Sequence, residues 1–159
     1  MKKMTVIIGS AGVFGVISGY ILQKRKYMKL IRSYRELADK HKDILVLLDQ
    51  WLEKRQNNIV LVDYFKRYNY KNIAVYGMSF VGRRLVNELK DSDINIKYVV
   101  DKNANYIHTD LKVYRMEDDL PAVDAIIVTP ITYFSTIKEE LKGKLNCPII
   151  SAEDLIYEI

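Results

Sequence analysis

Two glycines and an acid are the residues of this chain whose types and spacing could do chemistry. Gly77, Met78, Ser79, Phe80, Val81 and Gly82 follow the apolar run 73–76, and Asp101 closes a second expected strand, 96–100, 24 residues after Gly77. A glycine at 77 permits a tight turn out of a strand, and one at 82 lets the next helix pack closely on the sheet. That helix, expected over 81–90, would aim its free N–H groups and positive dipole end at a phosphate, with Arg83 or Arg84 adding charge. Asp101 stands where an acid accepts hydrogen bonds from a ribose diol. An acid there leans against a 2′-phosphate, and Lys102 beside it softens that inference. The serine at 79 replaces the middle glycine of the usual G-x-G-x-x-G string. Its hydroxyl could donate to phosphate, or its presence could mean that the site has changed or lost its ligand. A turn and a close helix crossing, with no ligand, explain the same two glycines.

The elements that must position these residues are legible along residues 72–159. A wholly apolar strand, 73–76, suits a sheet covered on both faces. After the second strand, 111–114 reads as a short third strand and 116–120 as a brief link. The run 123–129 is a strong fourth strand that brings Thr129 and Pro130 to its end, Pro130 opens a helix over 131–141, and 148–150 is a fifth strand. A last helix, 152–159, has Ser151 as its capping residue. These alternations predict an α/β fold with a five-stranded parallel, Rossmann-like sheet in the order 3-2-1-4-5. The binding crevice is expected at the C-terminal strand ends beside strands 1 and 4.

The N-terminal part has another composition. Residues 1–70 carry 14 Lys/Arg against 6 Asp/Glu, and residues 71–159 carry 11 against 14. The basicity therefore sits outside the expected domain, which argues against nucleic acid as a partner. Residues 4–22 hold no charged side chain and would reach about 28 Å as a helix, close to the hydrocarbon thickness of a bilayer. Lys24, Arg25, Lys26, Lys29, Arg32 and Arg35 follow. This pattern predicts a single-pass anchor over 1–23 in the cell membrane, with the C-terminal domain cytoplasmic. The lipid bilayer is thus an expected partner. The string Gly9 to Gly15 offers a rival phosphate loop, but no strand ending in an acid follows at the required distance.

Residues 24–56 read as an amphipathic helical stalk. Tyr27, Ile31, Tyr34, Ala38, His41, Leu45, Leu48 and Leu52 alternate four and three apart, a heptad seam that suits a homodimer through 27–52 as a coiled coil. Leu30, Leu37, Ile44 and Trp51 widen the stripe, which favours packing on a domain or in a bundle. A short helix over 59–67, with Asn58 as its cap, leads into the folded domain, expected over 57–159. Cys147, the sole cysteine, precedes a buried strand and reads as a packed thiol.

The phrases Ile-Ala-Val-Tyr-Gly-Met-Ser-Phe-Val-Gly, Val-Val-Asp-Lys-Asn and Val-Asp-Ala-Ile-Ile-Val-Thr-Pro resemble the small Rossmann-like domains encoded with bacterial cell-surface polysaccharide genes. They are also similar to the N-terminal nucleotide-binding domain of membrane-bound sugar dehydratases and epimerases. The resemblance implies NAD or a nucleotide sugar as ligand, and glycan-assembly enzymes as partners. It does not imply dehydratase activity. Enzymes of the short-chain type need a Tyr and a Lys four apart on a helix beyond the fourth strand, and Tyr133 is followed at that distance by Ile137. Tyr98 and Lys102 have the spacing but fall on a strand and its exit. The sequence therefore supports a membrane-anchored nucleotide-binding module. A small nucleotide-sugar-modifying enzyme or subunit, and a scaffold that binds nothing, are its alternatives.

Overall fold

The computed structural model describes the backbone of residues 2–159 and the side chains of residues 17–159. Most of the apolar run 4–22 thus lies outside the described side chains, and the expected anchor falls there. Among the described residues no helix is long and apolar enough to cross a membrane.

The chain divides into two compact units, Met1–Lys42 and Asp43–Ile159. Helix α1, Lys2–Gln56, enters both. In the first unit Tyr27, Leu30, Tyr34 and Leu37 are all exposed. In the second unit the last turns of α1 are part of the core, with Leu47 and Trp51 buried and Ile44 and Leu48 packed against them. The buried face is therefore 44, 47, 48 and 51. Of the predicted seam only Leu48 joins it, while Leu45 and Leu52 are exposed.

Asn58 ends α1 instead of capping the next helix. Its φ of 59° is left-handed, a conformation asparagine tolerates better than most residues, and the Ile59 N–H returns to the Lys54 carbonyl at 2.9 Å. Helix α2, Leu61–Arg67, starts after Val60 with no side-chain cap.

The sheet is all parallel, in the order β3-β2-β1-β4-β5. Its strands are β1 Asn72–Tyr76, β2 Asn95–Val100, β3 Val113–Tyr114, β4 Ala125–Val128 and β5 Ile149–Ser151. The expected topology is present, with β3 and β4 shorter than predicted. Helix α3, Phe80–Leu89, joins β1 to β2; α4, Phe134–Lys142, joins β4 to β5; and α5, Ala152–Glu158, ends the chain. The segment predicted as one helix from 131 begins as a 3₁₀ turn, Ile131–Tyr133. The cap on α5 forms as expected, Ser151 Oγ accepting from the Glu153 N–H at 3.2 Å.

Alternate strand residues build two apolar layers, as a two-residue side-chain period requires. Ile73, Val75, Val99 and Ile127 meet the end of α1, α2, α3 and α5 on one face. Ala74, Tyr76, Tyr98, Val100 and Val128 meet α4 and the 114–123 link on the other. Strands β1 and β4 are sequence-distant neighbours whose following helices cover opposite faces. The crevice of such a sheet opens at their C-terminal ends.

Candidate functional site

The turn after β1 is built from contacts that exclude any side chain. Gly77 has φ +91°, and a Cβ there would lie 2.8 Å from Thr129 Oγ1 and 2.9 Å from the Pro130 ring. A Cβ on Gly82 would lie 1.9 Å from the Gly77 carbonyl oxygen. The second glycine thus lets the first turn of α3 rest on the backbone of the strand exit. The turn is also fastened to both flanking strands. The Gly77 N–H donates to the Val100 carbonyl at 2.8 Å, and the Thr129 N–H to the Tyr76 carbonyl at 3.0 Å. Thr129, itself buried, donates its hydroxyl to the Tyr76 and Gly77 carbonyls at 3.1 and 2.8 Å.

Asp101 grips the same loop. One carboxylate oxygen accepts from the Met78 N–H at 2.8 Å and the other from the Asn103 N–H at 2.8 Å. A carboxylate has about four lone-pair positions, so further acceptor capacity remains. Truncation of Asp101 would therefore loosen the turn as well as remove a ligand acceptor.

Ser79 occupies the N-cap of α3 but makes no capping bond, and the first turn holds no acid. Ser79 and Phe80 face solvent, and the Arg83 guanidinium stands 5.8 Å over the Phe80 ring. Uncapped N–H groups, a helix dipole and a guanidinium make this end of α3 suited to an anion.

On the α4 side a crevice of about 480 Å³ opens between the ends of β1, β2 and β4, lined by Gly77, Asp101, Lys102, Pro130, Thr136 and Glu140 among others. Tyr76 also lines it, and its hydroxyl, shielded from solvent, has no hydrogen-bond partner. Burial raises the Tyr76 pKa, and the charges of Glu140, Asp101 and Glu117 push it the same way.

Comparison of the chain with protein-family models, curated proteins and solved structures finds no match. The resemblance to polysaccharide-linked domains rests on the quoted phrases alone.

Of the ten residues the sequence singles out, Gly77, Gly82, Asp101, Lys102, Thr129 and Pro130 gather at the strand ends. Met78 and Val81 turn into the core. Thr129 also turns inward, its hydroxyl spent on the turn, so that it supports the rim from below. Ser79 and Phe80 point outward at the helix start. Sequence reasoning missed Tyr76, Asn103, Thr136 and Glu140. Tyr76 carried a usable signal, being the only polar-tipped side chain in an otherwise aliphatic strand run. Thr136 and Glu140 share a face of α4 through four-residue spacing, a pattern that stands out only once the helix is known to face the crevice. Among the described residues no group of three or more His, Cys, Asp or Glu is placed to hold a metal ion. Cys147 packs partly buried against the α4 layer, and burial raises its pKa.

Proposed function

We propose that this chain is a membrane-anchored module that binds a nucleotide, NAD or a nucleotide sugar, at the C-terminal ends of β1, β2 and β4. The observation that carries the reading is the crossing of Gly82 over the Gly77 carbonyl, where an added Cβ would stand 1.9 Å away. That approach sets the uncapped end of α3 directly over the strand exit, beside a crevice and an acid at the end of β2. A phosphate at α3 and a ribose at Asp101 would be served by the same turn.

The anchor reading rests on the charge-free run 4–22 and the basic cluster after it. The exposed apolar positions Tyr27, Tyr34 and Leu37 support self-association of the stalk. A role beside glycan-assembly enzymes rests on the sequence resemblance.

The test is calorimetric titration of the full chain in detergent or nanodiscs with NAD, NADP, UDP-sugars and S-adenosylmethionine. Saturable binding of one class, with a rise in melting temperature by mass action, supports the reading. No binding at millimolar ligand by folded protein overturns it in favour of a scaffold.

A further inference from the structure

The two sides of the turn differ in charge. The α3 side offers a helix N-terminus with Arg83 and Arg84. The crevice on the α4 side carries two carboxylates, Asp101 and Glu140, against one ammonium, Lys102. A phosphate with two negative charges placed there would meet like charge in a partly desolvated site, which is unfavourable.

The crevice is rich in acceptors and hydroxyls instead. Asp101 keeps acceptor capacity beyond the two N–H groups it serves, and Thr136 contributes a hydroxyl from α4. Tyr76 is only 3% exposed and its hydroxyl is unpartnered. A buried polar group without a partner is uncommon and costly. The hydroxyl is shielded from bulk water but belongs to a residue that lines the crevice together with Thr136 and Glu140. The volume of about 480 Å³ falls within the range of small-ligand pockets, roughly 300–1,000 Å³.

We infer that this crevice is a subsite for a neutral, polyhydroxylated ring carried by the nucleotide, with its hydroxyls shared between Tyr76 and Glu140. The phosphates stay on the α3 side. The inference rests on the nucleotide-binding reading and adds the class of group that fills the crevice. Two sources supply such a ring, the second ribose of a dinucleotide and the hexose of a nucleotide sugar.

Titration of the full chain with ADP, ADP-ribose, UDP and UDP-glucose tests it. One ring-bearing ligand is expected to bind more tightly than its bare diphosphate, and the pair that shows the gap identifies the source. Tyr76→Phe should weaken that ligand by about three- to tenfold, the worth of one hydrogen bond, and leave the diphosphate unchanged. Its melting temperature should equal or exceed that of the unaltered chain, because the hydroxyl it removes has no partner. Should Tyr76→Phe fail to fold, Glu140→Ala carries the test: removal of this exposed carboxylate should weaken the ring-bearing ligand and narrow its gap to the bare diphosphate. Equal binding of bare and ring-bearing ligands, unmoved by either variant, overturns the subsite while the nucleotide reading stands. No binding by any of the four ligands overturns both.

Discussion

Replacing Gly82 by alanine is the sharpest test of the turn. The added Cβ would stand 1.9 Å from the Gly77 carbonyl oxygen, 3.0 Å from its carbon and 3.3 Å from Thr129 Oγ1. Ordinary contact begins near 3.4 Å, so roughly 1.5 Å must be found. The obstructing atom is backbone, held by the Thr129 hydroxyl at 2.8 Å, and cannot swing away as a side-chain tip would. Helix α3 is pinned through Val81, Leu85 and Leu89, all buried, so it cannot slide without opening the core. Overpacking of this kind costs about 1–3 kcal/mol, sometimes more, and this site belongs at the upper end. The better helix propensity of alanine returns up to about 1 kcal/mol. The net loss expected is about 2–3 kcal/mol. For a unit of roughly 120 residues that lowers the melting temperature by about 8–12 °C. Scanning calorimetry of the full chain measures it. The same variant should lose nucleotide binding, because the end of α3 is displaced from the strand exit. A melting temperature within 2 °C or so of the unaltered chain would refute the reasoning.

Three further outcomes follow from particular contacts. Glu88 accepts from Trp51 Nε1 at 2.7 Å and the Leu61 N–H at 3.2 Å, with Arg55 at 3.7 Å. Glu88→Ala should therefore cost about 2–4 kcal/mol by orphaning two part-buried donors, read by denaturant titration on the fluorescence of Trp51, the sole tryptophan; a loss under about 0.5 kcal/mol would count against the contact. Thr129→Val keeps the shape but removes the hydroxyl that serves two carbonyls, and should cost about 1–2 kcal/mol; unchanged thermal stability would mean that the turn does not depend on it. Asp124 accepts from the Lys71 and Asn72 N–H groups at 2.8 and 2.7 Å, and these bonds hold its pKa below the usual carboxylate value. Its contribution is complete above the unfolded pKa, near 4, and is lost as pH falls through the lower folded value. Asp124→Asn should accordingly flatten the acid limb of the stability profile below about pH 4, and an unaltered limb would refute the linkage.

Much of the fold is local and so was legible in the sequence. Unbroken apolar runs specify strands buried on both faces, and the glycines, Pro130 and Ser151 punctuate them. Alternation of strands with helical stretches leaves the right-handed parallel sheet as the economical solution, and the glycine turn followed by a strand ending in an acid points to the order 3-2-1-4-5. The requirement for glycine at 77 and 82 could be read from spacing, because a tight turn and a close helix crossing are short-range demands.

The partners of these residues were decided by packing between segments far apart in the chain. Periodicity along α1 finds an apolar stripe, but only the approach of α2 and α3 selects Leu47 and Trp51 for burial over Leu45 and Leu52. Asp101 was foreseen as an acceptor for a ribose. Only the folded turn shows it holding the Met78 N–H from 23 residues away. Thr129 stands at the rim by register, and its inward hydroxyl depends on a contact with the turn after β1 across 52 residues. The orphan hydroxyl of Tyr76 has no counterpart in the sequence at all, since whether a buried group finds a partner is fixed by everything packed around it.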